Sequence, residues 1–277
     1  MNKTVTIEEK NIIMPVLFIG HGTPMNAIED NVFSQKWKEL GKALPKPKAI
    51  LCISAHWETR GSMTTAMDKP ETIHDFGGFP EELYWQQYPA DGSPALADTI
   101  RDRIRMFEIG KDYRWGLDHG SWCFLKHMYP DADVPVMQLS IDNTKDMQCH
   151  YDLGQELAFL RHRGVLIAGS GNMVHNLWLA RPSEKGFNNE FGYEWAEKLN
   201  LIMKERILSG DHSSLVNHRS LSEDANLGIP SGEHYIPLIY ALALQEKGEP
   251  IEIFNDKIVA GSLSMTSLII GNYKNQG

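Results

Sequence analysis

The sequence predicts an α/β layered fold, organised as one domain over residues 1–277. Short apolar runs that carry β-branched residues alternate with stretches of helical periodicity, and this alternation is typical of α/β proteins. The stretches that contain glycine and proline are as long as loops rather than linkers, and the chain has no internal repeat. With 277 residues, the chain can bury a sizeable core.

Seven runs predict strands, because they are apolar or β-branched and turn residues bound them. The candidates for buried strands are Pro15–Ile19, Ala49–Ile53, Val134–Ser140, Val165–Ala168 and Ile258–Leu263, the last with a continuation to Ile270 left open. Two further runs predict edge strands, Thr64–Met67 and Ile251–Phe254.

Helices are predicted between the strands, where apolar residues recur with helical spacing. The segment that begins at Pro94 also carries a start signal, since Ser93 is a capping residue and proline fits the first turn. The predicted helices are Asn31–Leu44, Pro94–Arg105, Gln148–Arg161, Glu190–Leu208 and His234–Gln245.

Composition excludes several classes of protein. The net charge of -9 argues against binding to nucleic acid, and no run approaches the roughly 18 apolar residues of a membrane span. The segment Met1–Lys10 is polar and unlike a signal peptide. The three cysteines match no zinc or redox spacing. We therefore expect a cytoplasmic protein with reduced thiols.

Three histidines follow apolar, strand-like runs. His21 stands in Gly-His-Gly-Thr-Pro, His56 in Ser-Ala-His-Trp, and His175 follows a Gly-Ser-Gly turn. The carboxyl ends of strands in open α/β sheets are where ligands bind, so three imidazoles at one edge predict a metal site. The alternatives are an exposed turn for His21, packing against Trp57 for His56 and a helix start for His175.

Two more histidines are candidates. Asp118 before His119 suggests an active-site loop, or a helix cap beside an incidental histidine. His234 precedes a buried helical stretch, whose positive end should depress the pKa of its imidazole; the adjacent Glu233 could be the ligand instead. His74 with Phe76 and Phe79 suggests either a substrate loop or an ordinary turn. The remaining histidines are expected to be structural or solvated: His127, His150, His162, His212 and His218.

The ligand types limit the chemistry without deciding it. Imidazoles suit zinc, iron, copper and nickel, and the lack of cysteine partners disfavours a structural zinc site. The interpretation that remains is a catalytic metal site with coordination positions open to a substrate. Zinc would activate water for hydrolysis, whereas iron(II) would activate oxygen.

Six motifs together resemble the class III extradiol ring-cleavage dioxygenases of LigB type, most narrowly the bacterial 4,5-DOPA dioxygenase extradiol branch. They occur in order over nearly the whole chain. The motifs are GHGTP at 20–24, SAHW at 54–57, HDFGGFP at 74–80, DHGSW at 118–122, GNMVHN at 171–176 and EHYIPL at 233–238.

The resemblance implies a central mixed sheet flanked by helices, with a mononuclear divalent metal at one sheet edge. It assigns His21, His56 and His234 as ligands, and His175 as a further ligand or as the acid/base group. His119 would contact substrate or dioxygen, and it is the second candidate for the acid/base group, after His175. Fe(II) is expected for activity and Zn(II) in purified protein.

The implied reaction is extradiol cleavage of a catechol such as L-DOPA at its 4,5 bond, with O2, to give 4,5-seco-DOPA. The protocatechuate-type relatives use a glutamate as third ligand, which would correspond to Glu233 in place of His234. The alternatives are a zinc-dependent hydrolase at the same site and a non-catalytic binding protein of LigB fold. The natural catechol and the oligomeric state stay open.

Overall fold

The apolar runs of the sequence form one eight-stranded mixed sheet in a computed structural model, which describes residues 13–184 and 186–273. The sheet order is β4-β3-β5-β2-β6-β1-β10-β7, and a separate pair joins β8 to β9. The strands are β1 (Val16–Gly20), β2 (Ala49–Thr59), β3 (Ser62–Thr65), β4 (Ile109–Asp112), β5 (Val136–Asp142), β6 (Val165–Gly171), β7 (Ile251–Phe254), β8 (Ile258–Val259), β9 (Leu263–Ser264) and β10 (Ser267–Ile270).

The centre of the sheet is parallel. Strands β5, β2, β6 and β1 pair in parallel, whereas β10 and β7 add antiparallel strands on one side and β3 pairs antiparallel with β5 on the other. The four parallel strands therefore end at the same edge, as the prediction of a strand-end site requires.

Helices cover both faces of the sheet, so the described residues fold into a single α/β domain. Short 3-10 turns occupy Pro24–Ala27, Ala158–Arg163 and His218–Ser220. The helices are α1 (Val32–Ala43), α2 (Glu81–Tyr84), α3 (Pro94–Arg103), α4 (His119–Met128), α5 (Met147–Glu156), α6 (Glu194–Ser209), α7 (His212–Val216), α8 (Ala225–Gly228) and α9 (Ile236–Ala243).

Alternation along the strands builds two core layers. In β1, Val16 and Phe18 pack in the layer formed with α5, α6 and α9, while Leu17 and Ile19 pack in the layer formed with α1 and α4. Successive strand residues point to opposite faces, so a strand covered on both sides is apolar throughout. This explains why the central strands read as continuous apolar runs.

Several predicted boundaries are wrong. The run Ile258–Leu263 is not one strand, because Ala260 and Gly261 adopt positive φ values of 47° and 85° and turn the chain between β8 and β9. The sequence reasoning also missed β4 and α4. The predicted helix Glu190–Leu208 begins only at Glu194, since Glu190 and Gly192 form bridges to the turn at 259–261.

The other predicted helices and most strands are confirmed to within a few residues. The prediction of an edge strand at Thr64–Met67 is wrong, because β3 pairs with β4 on one side and β5 on the other. Gln148–Arg161 is divided into α5 and a 3-10 turn. The polar segment Met1–Lys10 lies outside the described residues. Within residues 13–184 and 186–273, no helix combines the length and apolar character that a membrane crossing needs.

Candidate metal centre

Neighbouring strands bring histidines to one edge of the sheet. His21 follows β1, His56 lies near the end of β2, and His175 lies beyond β6. The Nε2 atoms of His21 and His56 are 3.1 Å apart, and the ring of His234 is centred 5.4 Å and 5.0 Å from theirs. One nitrogen from each of His21, His56 and His234 lies within 4.8 Å of the other two.

His21 is held in one tautomer by its neighbours. Its Nδ1 lies 3.0 Å from the Ser170 hydroxyl oxygen, and that hydroxyl donates its own hydrogen to the carbonyl of Gly120. The hydroxyl can therefore only accept from His21, so the proton is on Nδ1. This leaves the Nε2 lone pair facing His56.

His56 reaches the site through an irregularity in β2. The strand was predicted to end at Ile53, but it continues to Thr59 and its register with β5 shifts between Ile53 and Glu58. The irregular stretch re-aims the side chains it carries, as bulges do. The His56 Nδ1 lies 3.5 Å from an oxygen of Asp75, while Nε2 faces His21.

His234 lies in the turn before α9 rather than within the helix. The His234 carbonyl accepts a hydrogen bond from the Asn172 N–H at 2.9 Å, which fastens the turn to the end of β6. A Cβ on Gly171 would lie 2.1 Å from that carbonyl oxygen. The turn thus depends on a residue without a side chain at 171.

We predict that Gly171→Ala lowers the free energy of unfolding by about 1–3 kcal/mol and weakens metal binding, because the methyl group must displace the His234 turn. Denaturant unfolding and metal titration measure the two effects. Gly77→Ala is the matched control for stability, since its Cβ would meet no atom within 4 Å. Equal stability of the two variants would contradict the prediction.

Glu233 contacts His234 from outside the cluster. Its Oε1 lies 3.1 Å from the His234 Nδ1 and accepts a hydrogen bond from Ser231 at 2.9 Å. His21, His56 and His234 therefore share one pattern, because Nδ1 of each ring lies beside an oxygen that can accept its hydrogen. Carboxylates or other acceptors behind the ligating histidines are the usual arrangement in metal centres.

The distances fit a single divalent ion. Two imidazole nitrogens bound about 2.0–2.1 Å from one metal, in tetrahedral or octahedral geometry, are about 2.9–3.4 Å apart. The two Nε2 atoms of His21 and His56 are 3.1 Å apart. Two lone pairs facing each other at this distance need a cation or a proton between them, so this donor set suits a metal.

His175 lies directly against His234. The two rings stack with centroids 3.6 Å apart and planes 6° from parallel, and the His175 N–H donates to the Gly228 carbonyl at 2.8 Å. A second group of close donor atoms joins His175, Glu233 and His234. His175 is thus adjacent to the three-histidine cluster and outside its closest grouping.

His119 opens α4, and both sequence interpretations of this segment hold in part. Asp118 is the N-cap, since its side chain accepts from the Ser121 N–H at 3.2 Å, yet His119 also lines the cavity. Its ring is centred 3.9 Å from that of His56. The histidine is therefore part of the site as well as the first residue of a helix.

Asp75 is the functional candidate that sequence reasoning passed over. Its two oxygens accept from the backbone N–H and from Nδ1 of His119, each at 2.9 Å. Burial alone would raise the pKa of Asp75, but the hydrogen bonds and charges of His119 and His56 outweigh it and lower that pKa. Asp75 lies in the HDFGGFP motif at 74–80, and this motif was the sequence feature that could have indicated a role for it in the site.

The remaining histidines lie elsewhere. The His74 Nε2 is 2.9 Å from the Gln86 carbonyl, so this residue anchors its loop, whereas Phe76 and Phe79 from the same loop line the cavity. In the described part of the chain, the following histidines do not line the cavity: His127, His150, His162, His212 and His218.

The histidines form the floor of a cavity of about 410 Å³. This volume is within the usual range for small-molecule sites. The walls are largely apolar, which favours an aromatic ligand. The apolar lining residues are Pro24, Phe76, Phe79, Leu177, Phe187 and Leu263.

Burial keeps the cluster neutral. It lowers the pKa of His21 and His234 well below the usual value, with repulsion from the neighbouring imidazoles as the next cause. It also lowers the pKa of His56 to about 3 and of His175 to about 4. For His234, burial rather than the end of α9 is the largest cause. A neutral imidazole is the form that binds a metal.

Comparisons with known proteins identify the family of this chain. Residues 15–264 match the family described as the catalytic LigB subunit of aromatic ring-opening dioxygenase. The chain is 46% identical over 262 residues to the 4,5-DOPA dioxygenase extradiol of Escherichia coli K12, covering 93% of this chain and 95% of that protein. It is 37% identical to the Beta vulgaris protein of the same name, covering 95% and 96%.

A solved structure extends the likeness to the fold. The crystal structure of an uncharacterized protein from Escherichia coli K12 superposes with a TM-score of 0.81 and 41% identity, over 93% of this chain and all of that one. The matched family region contains every histidine of the cluster. The chain belongs to the LigB family of aromatic ring-opening dioxygenase catalytic subunits.

Proposed function

We propose that this protein is an extradiol dioxygenase that opens a catechol such as L-DOPA at its 4,5 bond. The observation that carries the proposal is the three-histidine cluster on the floor of an apolar cavity, in a chain whose relatives are named 4,5-DOPA dioxygenase extradiol. The carbon–carbon bond beside the two hydroxyls breaks, and both atoms of O2 enter the product, 4,5-seco-DOPA.

His21, His56 and His234 are the proposed ligands of a mononuclear divalent metal, with Fe(II) as the active ion and Zn(II) as the ion expected in purified protein. When bound, this metal would lower the pKa of the catechol hydroxyls and hold the ring beside dioxygen. The choice of His234 over Glu233 rests on geometry, because the Glu233 carboxylate lies behind His234, against its Nδ1.

The chain itself supplies proton transfer and orientation. His119 and His175 both line the cavity beside the ligands, within reach of a bound catechol, so one can take the second phenol proton and return it during ring opening. Phe76 and Phe187 line the same cavity as the histidines, so they would pack against the aromatic ring of a bound catechol. Placing the ring next to the ligands turns an encounter of three molecules into a step within one complex.

The proposed partners are a small catechol and O2. A net charge of -9 argues against nucleic acid. The free cysteines at 52, 123 and 149 fit a reducing compartment, which supports a cytoplasmic enzyme. The natural catechol is left for substrate profiling.

The test is anaerobic reconstitution with Fe(II) or Zn(II), followed by O2 and L-DOPA. We expect one O2 consumed per catechol and a yellow ring-fission product with Fe(II) only. Protein reconstituted with Zn(II) is the matched control, because it carries the same site with a metal that undergoes no redox change. Hydrolytic activity with Zn(II), together with no O2 uptake with Fe(II) for any catechol tried, would overturn the proposal in favour of a zinc hydrolase.

A further inference from the structure

We infer that Asp75 is a positioning residue that makes His119, rather than His175, the proton acceptor of the site. The inference rests on the proposed function for its catalytic meaning. The geometry behind it is independent of that function. The contacts that carry it join Asp75, in the loop at residues 74–80, to His119 at the start of α4.

Asp75 contacts His119 through both of its carboxylate oxygens. Oδ1 accepts the backbone N–H of His119 at 2.9 Å, and Oδ2 lies 2.9 Å from the ring Nδ1. The first contact fixes the position of the residue at the helix start, and the second fixes the rotation of its ring. His119 is buried, with 5% of its surface exposed, so water does not compete for these bonds.

The carboxylate also determines which ring nitrogen of His119 carries the proton. An ionised carboxylate is only an acceptor, so Nδ1 must be the donor and the neutral ring has its lone pair on Nε2. Nε2 is then the nitrogen left to meet a ligand in the cavity. A neutral imidazole with its lone pair facing the substrate is a proton acceptor.

His175 lies close to Glu233, but the hydrogen bond between that carboxylate and an imidazole is to Nδ1 of His234. The ring of His175 stacks on His234, and among the residues that the structure describes no hydrogen bond holds either of its ring nitrogens. The tautomer of His175 is therefore free to change. This contrast between two histidines that line the same cavity is what assigns the acceptor role to His119.

The same carboxylate lies on the outer side of the metal cluster. Its Oδ2 is 3.5 Å from Nδ1 of His56, whose Nε2 faces His21. Asp75, His56 and His119 also form a close donor group, but both oxygens of Asp75 are already engaged by His119. Asp75 thus acts through two imidazoles and links the acceptor to a proposed ligand.

Asp75→Asn is the central variant. The amide oxygen can still accept the His119 N–H, but its NH2 group now faces Nδ1 and moves the ring proton to Nε2. We expect kcat to fall about 100-fold to 10,000-fold, as when an amide replaces the carboxylate behind a catalytic histidine, with KM changed less than about threefold. Bound metal should remain at one ion per chain, with affinity lowered at most about 10–100-fold.

A double-mutant cycle separates a positioning role of Asp75 from a general disturbance of the site. In a His119→Ala background, Asp75→Asn should change kcat by less than about threefold, because residues that act as one unit are not additive. Asp146→Asn is the control, since Asp146 caps α5 and is not among the residues that line the histidine cavity in the described part of the chain. Independent, multiplicative losses, or complete loss of metal in Asp75→Asn, would overturn the inference.

A spectroscopic measurement tests the inference without turnover. Nitrogen-15 NMR of the zinc-loaded protein should show His119 protonated at Nδ1, and Asp75→Asn should move the proton to Nε2, with His119→Ala assigning the signal. An unchanged tautomer would refute the role of Asp75. If the Fe(II) enzyme opens no catechol, the proposed function fails while the tautomer result still decides the positioning claim.

Discussion

Replacing His21 with alanine is expected to abolish ring cleavage and to remove the metal. The side chain supplies one of the two facing Nε2 atoms, 3.1 Å apart. Because it is buried, a ligand from solvent does not easily take its place. Affinity should fall by more than the roughly 100-fold typical of losing a group that only supports a ligand. His56→Ala should behave in the same way. Elemental analysis after anaerobic reconstitution and O2 uptake measure the two effects.

Two controls make this result specific. His162→Ala removes a half-exposed histidine paired with Glu246 on the surface, and it should bind metal and consume O2 like the parent chain. Ser170→Ala removes the hydroxyl behind His21 and should weaken metal binding without eliminating it. A His21→Ala protein that retains one metal ion per chain and full turnover would contradict the proposed ligand set.

The position of His21 could be predicted because local pattern and topology agree there. An apolar run that is buried on both faces indicates a central strand, and a Gly-His-Gly turn after it places the side chain at the strand end. The parallel arrangement of β2, β6 and β1 then brings the histidines together. The order of the strands is a property of the whole fold, and no single run encodes it.

Other parts of the site could not be predicted from local pattern. Helix α4 begins with His119 and Gly120 and contains two bulky aromatic residues, so its propensity is low; packing against the sheet stabilises it. The register of β2 with β5 shifts between Ile53 and Glu58, and no glycine or proline in that stretch signals the shift. Asp75 and His119 are 44 residues apart, and only the tertiary structure brings them into contact.

The second large effect is expected at His119, which we propose carries a proton and does not bind the metal. His119→Ala is expected to keep one metal ion per chain and to lose about 100-fold to 10,000-fold in kcat, the usual contribution of a general acid or base. The reason is that His119 meets Asp75 through Nδ1 and lies outside the group of His21, His56 and His234. Catechol binding should persist, because the metal and the apolar walls of the cavity remain. Metal analysis, anaerobic catechol titration and steady-state kinetics check the three statements.

His218→Ala is the matched control, because it removes another buried histidine that lies against Tyr235 rather than in the cavity. Its turnover should equal that of the parent chain at equal folded fraction. Loss of metal from His119→Ala would move this residue into the ligand set, and unchanged kcat would leave proton transfer to His175. Retained metal with a large loss in kcat is the outcome expected of a proton carrier beside the metal, since loss of a ligand would lower both metal content and kcat, and loss of a residue of the cavity wall would alter KM first.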